Sequence, residues 1–514
     1  METLRERFFD YFGLDEGSYE KLIAPLSFSS LPYIDKEAST IMAVNRLNLA
    51  KMRKEKVLIY GDYDCDGVMS TSILLYAFRK FGIDAAGFLP SRYLDGYGLN
   101  VANVLKIASK GYSLIVTSDN GVTAHDALKK AKELGIETIV LDHHEFDGLP
   151  LETPYVLHPS LLQYGHAPIS AGFLAFLFSH ALLKEVDPYL LTLAATSTLS
   201  DAMPLREENR NIVRLALEVL NKEKYPEFTL LTKDDHFDEG TLQFEIIPKI
   251  NAVGRLEKEH HLNRLLPYFS RATNQREVLA KYLNETNEKR REIAKEAASK
   301  LQINPGEPSF SLLSDIPEGL NGLLASRVLG IYQKPVAVFS KKEGTSDVLI
   351  GSLRAPEGFD LMDAFDKMGV SFLTKGGHRL AAGCSIKESD FHLFKKEFAF
   401  YALKNKFQPK KEKTIALALG EVNEKTYRFL RTFAPFGKGF KAPRFSLNDL
   451  DPRTFTYMKG GKYLNVLLGS ARILSFTISE DSFDLDQKAN LVGSFRENTF
   501  HNKKSIELLV EKAL

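Results

Sequence analysis

Three aspartates at alternate positions, Asp62, Asp64 and Asp66, stand in the stretch VLIYGDYDCDGVMS over 57–70. Carboxylates at that density repel one another, and hard cations held between them relieve the repulsion. Taken alone, the same residues fit a solvated acidic turn ending in Asp66-Gly67 equally well. Recurrence of the pattern favours metal. Asp119 ends a second apolar run (LIVTSDNG), Asp142-His143-His144 ends a third (TIVLDHHE), and Asp201 ends a helical run (LLTLAATSTLSD). Carboxylates with imidazole and no thiolate suit Mn²⁺ or Mg²⁺ better than structural zinc. Two such ions about 3.5–4 Å apart clamp a phosphoryl group and activate a water for in-line attack. The pattern therefore points to two-metal phosphoester hydrolysis.

The elements that must position these residues follow from the hydrophobic period. Residues 57–60 read as a buried strand, with a helix from Ser70 carried by Ile73, Leu74, Ala77, Phe78 and Phe81. Further strands are expected at 85–89, 114–116 and 138–141, with a helix over 124–134. Strands spaced by helices in this way predict right-handed βαβ units and a parallel sheet, with ligands at the carboxyl ends of the strands. Residues 1–48 read as an N-terminal helical cap on this domain, without chemistry of their own. The stretch 222–240 is charged and irregular, and 251–255 reads as a compact loop ending in Arg255. The strongest helix signal, 271–303, interleaves Glu with Lys and Arg as a solvated face laced by i,i+4 pairs. A second α/β unit then offers strands at 310–313, 336–339 and 348–352, a helix over 323–332, and a Gly376-Gly377 turn whose N–H groups suit a phosphate. A basic, proline-broken linker at 406–413 precedes five strand-like runs, 415–419, 463–468, 472–478, 489–493 and 505–510. These predict a small barrel of the oligonucleotide-binding type, most of whose aromatics fill the interior.

At 514 residues the chain is too long for one core and implies about three domains. Apolar residues make up 44% and charged residues 26%, as in soluble globular proteins. A net charge of +1 restricts any nucleic-acid surface to a local basic track. Cys65 and Cys384 are too few and too far apart for a disulfide framework or a zinc site, and fit a reducing cytosol. The N-terminus lacks the apolar core of a signal peptide, and no run of about 18 apolar residues is present. A cytoplasmic protein that does not engage membranes is the expectation.

The set GDYDCDG, TSDNG, LDHHE and LSDAMPL resembles the four motifs of the DHH phosphoesterases. Four later stretches are similar to those of the RecJ family of bacterial single-strand-specific exonucleases: IPKINAVGRL (247–256), NGLLASRV (321–328), GSLRAPEGFDL (351–361) and GGHRLAAG (376–383). The resemblance runs from about residue 50 to the C-terminus. It implies an α/β fold in parts: a parallel-sheet DHH catalytic domain (49–221), a connecting segment with a long helix (222–304), a smaller DHHA1-type α/β domain (305–405) and a C-terminal OB-type β-barrel (406–514).

By the same resemblance, Asp64 and Asp119 would hold one Mn²⁺ or Mg²⁺ ion, and Asp66, Asp119, His143 and Asp201 a second. Asp119 would bridge the two, with Asp62 assisting. Asp142 would orient His143, and His144 would face the scissile phosphate. Many relatives place a histidine ligand four residues before Asp64, where this chain has Tyr60, a poor ligand, so water would complete that site. Arg92, Arg255, Ser352 and Arg354 would hold phosphates, and Gly376, Gly377 and His378 would belong to the substrate-binding face. The implied activity is 5′→3′ hydrolysis of single-stranded DNA to mononucleotides in recombination and repair. The implied protein is a monomer, with a helicase and a single-strand-binding protein as partners. The alternatives are a DHH phosphodiesterase acting on short oligoribonucleotides or cyclic dinucleotides, and a non-catalytic single-strand-binding replication factor. The barrel argues against the first and the retained ligand set against the second. At 514 residues the chain is short for the family, which implies a missing accessory domain.

Overall fold

Five strands, β1 (Val57–Tyr60), β2 (Ala85–Phe88), β3 (Leu114–Ser118), β4 (Glu137–Leu141) and β5 (Tyr155–Leu157), form an all-parallel sheet in the order β2-β1-β3-β4-β5. Every residue of β1 and β3 is buried, as expected of strands covered on both faces. Helices Ala171–Leu183 and Pro188–Ser200 are apolar almost all round and correspondingly buried, packed on each other and on helix Cys65–Phe81. The computed structural model describes residues 2–145, 148–162, 168–256, 259–342, 344–345, 347–405, 413–500 and 503–513. Most of the expected 406–413 linker lies outside the described residues. The chain divides into two compact units, 28–410 and the paired segments 1–27 and 411–514.

The helix after β1 spans Cys65–Phe81, five residues earlier than its apolar period indicates. Asp64 is the reason: as N-cap it accepts from the Asp66 and Gly67 N–H groups, so Asp66 becomes a first-turn residue. The 251–255 stretch is likewise helical, inside Ile247–Leu256, instead of a loop. The long helix runs over Arg276–Lys300, with Ala280, Leu283, Thr286, Asn287 and Ala297 buried.

A second sheet in the same unit is mixed, with β6 (Phe310–Leu313), β7 (Val336–Lys341), β8 (Val348–Arg354), β9 (Thr374–His378) and β10 (Ala381–Lys387) in the order β6-β7-β8-β10-β9. The expected Gly376-Gly377 turn is instead part of the edge strand β9, because both glycines pair with Ala382 and Gly383 of β10. Cys384 is buried on β10 and its thiol pKa is pushed up to about 12 by burial, in keeping with a packed small hydrophobe.

The expected 1–48 cap divides. Helix Ala38–Arg53 serves the parallel sheet, its buried Arg46 donating to Glu137 at 2.7 Å and Glu55 at 2.6 Å. Helices Leu4–Phe12 and Glu16–Ile23 belong with the C-terminal segment, not with the catalytic domain as the sequence indicates. Phe8 is fully buried against Phe429, Phe433 and Phe445, and Phe12 stacks on Phe433 and Phe440. Seven strands complete that unit: β11 (Thr414–Ala416), β12 (Arg444–Leu450), β13 (Tyr457–Met458), β14 (Tyr463–Leu468), β15 (Ala471–Leu474), β16 (Ala489–Phe500) and β17 (Lys503–Ala513). Among the described residues they form one mixed sheet in the order β11-β12-β16-β17-β15-β14-β13, two strands more than expected and with no pairing between its end strands. Among the described residues, no helix is long and apolar enough to cross a membrane.

Candidate active site

Asp62 and Asp64 follow β1, Asp119 follows β3 and Asp142 to His144 follow β4, so the carboxyl edge of the parallel sheet gathers them. Asp66 and Asp201 arrive on helices, the first in the opening turn of Cys65–Phe81 and the second as C-cap of Pro188–Ser200. Asp119 adopts a left-handed backbone (φ +66°), a conformation Asp tolerates better than most residues. Asn120 locks the arrangement. Its buried amide donates to the carbonyls of Tyr60, Gly61 and Ser118 at 3.0–3.2 Å, and its oxygen accepts from the Leu99 N–H.

Three overlapping groups of ligand atoms result: Asp62 with Asp64 and Asp119; Asp66 with His143 and Asp201; and Asp119 with His143 and His144. His143 Nε2 lies 3.1 Å from Asp119 and 3.6 Å from Asp66, and its Nδ1 lies 3.7 Å from Asp201. Burial and mutual repulsion raise the carboxyl pKa values of Asp62, Asp64 and Asp119, that of Asp62 to about 8. Asp62 is 4% exposed, and its Oδ1 is buried without a hydrogen-bond partner. An orphaned oxygen in a crowd of unneutralised carboxylates fits a divalent cation.

Asp142 corrects one expectation. Its Oδ1 accepts from His144 Nδ1 at 2.8 Å, while His143 reaches it only through its backbone N–H at 2.7 Å. Asp142 therefore orients the His144 ring, not that of His143, whose ring turns toward Asp66, Asp119 and Asp201. The His144 ring is also 3.1 Å from the Tyr97 hydroxyl. Burial opposes its charge, but Asp142 outweighs burial and lifts its pKa to about 9. Tyr60 is no ligand here. Its buried hydroxyl donates to the Gly98 carbonyl at 3.1 Å and accepts from Asn103 at 2.8 Å.

Cations border the acidic cluster. Arg92 lies over the Tyr63 ring at 4.5 Å, and Arg255 is anchored by its carbonyl to the Tyr93 hydroxyl. Burial lowers the Arg255 pKa to about 10, with the positive fields of Arg92, Arg290 and Arg354 adding to the effect. Arg290 was missed in the sequence because alternating charges along its helix hide which face is turned inward. Asn251 accepts from the Cys65 N–H at 2.9 Å, and a Cβ at Gly254 would collide with the Tyr63 carbonyl, so this helix docks directly on the acidic turn. On the second sheet, Ser352 and Arg354 share strand rows with Gly376 and His378 through Gly383 and Ala381. Gly376, Gly377 and His378 are exposed on the edge strand.

The DHH family, N-terminal domain, matches residues 56–198. Over these residues the chain is similar to the DHH family. The DHHA1 domain matches residues 311–403 and the RecJ OB domain residues 415–512. The chain is 28% identical over 506 residues to the single-stranded-DNA-specific exonuclease RecJ of Bacillus subtilis, covering 92% of this chain and 63% of that protein. It is 29% identical over 536 residues to RecJ of Haemophilus influenzae, covering 91% and 89%. It thus spans under two thirds of the B. subtilis protein. Among solved structures, Thermus thermophilus RecJ in complex with Mn²⁺ superposes over 99% of this chain and 75% of its own, with a TM-score of 0.83 at 24% identity, a likeness of fold. An exonuclease RecJ bound to manganese matches with a TM-score of 0.61 at 27% identity, covering 74% of this chain and 97% of its own.

Proposed function

We propose that the chain is a single-stranded-DNA-specific 5′→3′ exonuclease that releases mononucleotides by hydrolysis with Mn²⁺ or Mg²⁺, in DNA recombination and repair. The observation that carries this reading is the pair of ligand groups, Asp62-Asp64-Asp119 and Asp66-His143-Asp201, joined by the 3.1 Å approach of Asp119 to His143. The names and bound metals of the RecJ relatives agree with it.

Divalent cations held there would neutralise the carboxylates and polarise phosphoryl oxygens. The protein's own groups do the rest. Ser197 and the N–H groups of Ala171 and Gly172 hold the Asp66 carboxylate, fixing the direction in which it meets a cation. Asp142 on Nδ1 holds the His144 ring and, in the metal-free protein, lifts its pKa to about 9, so a protonated Nε2 would donate to a phosphate oxygen of the substrate. Arg92, Arg255, Ser352 and Arg354 take neighbouring phosphates, and Gly376, Gly377 and His378 extend that surface along the strand. A helicase that supplies single strands and a single-strand-binding protein are the partners this reading implies.

Single-turnover digestion in Mn²⁺ of a 5′-labelled single strand, beside its 3′-labelled twin, a duplex and a short RNA, tests the proposal. Early release of labelled mononucleotide from the 5′-labelled strand, lost in Asp119→Ala, is expected. Cleavage confined to the short RNA, or first release from the 3′ label, would overturn it.

A further inference from the structure

Strand β5 is only three residues long, yet its carboxyl end meets the Asp142–His144 turn at two points. The Asp142 N–H donates to the Leu157 carbonyl at 3.2 Å, which carries the β4–β5 ladder one step further. The next residue, His158, then places its ring on the turn itself, with Nε2 2.8 Å from the His144 carbonyl oxygen. His158 is 5% exposed, so this contact is made out of water.

The partners fix the state of the ring. The Ser160 N–H lies 3.2 Å from Nδ1, and an N–H can only donate. Nδ1 is therefore the acceptor, with the Ser160 hydroxyl 2.7 Å away on the same side. The ring proton then sits on Nε2, facing a carbonyl that can only accept. The backbone is held as well, since the His158 carbonyl accepts from the Leu161 and Leu162 N–H groups at 2.9 and 3.1 Å.

This matters because of the work asked of His144, whose side chain is 40% exposed at the mouth of the site. Asp142 Oδ1 takes the His144 ring at 2.8 Å and the His144 N–H at 3.2 Å. Both bonds leave the peptide plane on the far side of Cα untouched. His158 holds that plane through the carbonyl. With N–H and carbonyl both tied, the Cα–Cβ bond has one direction, and Nε2 points one way. A reacting group misplaced by about 1 Å can cost about 100-fold in rate. We infer that His158 is a positioning residue for hydrolysis, clamping the His144 carbonyl so that the His144 ring meets the phosphate. The inference rests on the role proposed above for His144 and adds a residue outside the acidic cluster.

Imidazole N–H correlation spectra of the full-length, metal-free protein read the clamp without turnover. His158 is expected as the neutral Nε2–H tautomer, and His158→Leu is expected to shift and broaden the His144 ring signals. In single-turnover digestion with saturating Mn²⁺ and strand, His158→Leu should slow cleavage by about 10-fold or more, with the half-maximal strand concentration within about twofold. His158→Gln, whose amide N–H reaches the place of Nε2, should recover most of that rate. In a His144→Ala background, His158→Leu should cost less than about twofold, because the group it acts through is gone. An Nδ1–H tautomer at His158, or His144 signals unmoved by His158→Leu, would overturn the clamp. So would a Gln variant as slow as the Leu variant, or losses that multiply with those of His144→Ala. Wild-type protein that digests no single strand, while its His144 signals respond to His158→Leu, loses the nuclease reading and keeps the clamp.

Discussion

Raising the pH should weaken the metal-free protein through Asp62. This carboxyl is buried beside Asp64, and its pKa is raised to about 8 from an unfolded value of about 3.9. A group whose folded pKa is raised binds more protons folded than unfolded between those values, so stability falls as pH rises through that window. From pH 6 to pH 8, linkage for this one group amounts to a loss of about 2 kcal/mol. Asp64 and Asp119 shift in the same direction for the same reason. Asp62→Asn cannot ionise, which isolates the contribution. Calorimetric or urea unfolding of both proteins in chelator at pH 6 and pH 8 should show the wild type losing about 2 kcal/mol relative to the variant. Saturating Mn²⁺ should remove that relative loss, so that the metal raises the melting temperature more at pH 8 than at pH 6. A metal-free wild type that gains stability relative to Asp62→Asn between pH 6 and pH 8 would refute the crowded-carboxylate reasoning.

Three other outcomes follow from the same geometry. Asn120→Ala strips partners from three carbonyls and one N–H at the strand ends, and should cost about 2–4 kcal/mol in urea unfolding. Asp142→Ala should lower single-turnover cleavage about 100-fold or more by freeing the His144 ring, whereas Tyr97→Phe should cost far less because Asp142 still holds it. Arg290→Ala should raise the strand concentration needed for half-maximal cleavage and flatten its salt dependence by about 0.7 on log scales, read from initial rates between low and moderate salt.

How much of this was legible in the sequence depended on the range of the information. Strands β1 and β14 fall where their local pattern puts them, because a short, bounded apolar or alternating run is a local signal. The acidic and imidazole residues stand out for a related reason: Asp119, Asp142 and Asp201 directly follow their elements, and Asp66 opens one. Strand β5 has three residues and gains its meaning only from pairing with β4. Strand β12 is interrupted by a register shift between Leu447 and Leu450, where Asp449 takes a positive φ, so its alternation breaks. The aromatic helix Leu4–Phe12 announces a buried face, but its partners lie some four hundred residues away, beyond any local pattern. Gly376 and Gly377 carry turn propensity that the ladder to β10 overrides. Of two adjacent imidazoles, sequence does not say which meets Asp142. The hydrogen bond to His144 decides it.

Counting bound ions tests the shared-ligand centre most directly. Equilibrium titration of metal-free protein with Mn²⁺, read by electron spin resonance of the free ion, should give two ions per chain. Asp119→Ala should lose high-affinity binding at both positions, because its carboxylate belongs to the group with Asp62 and Asp64 and lies 3.1 Å from the His143 of the other. Two ions held by the variant with unchanged affinity would contradict a centre built around Asp119.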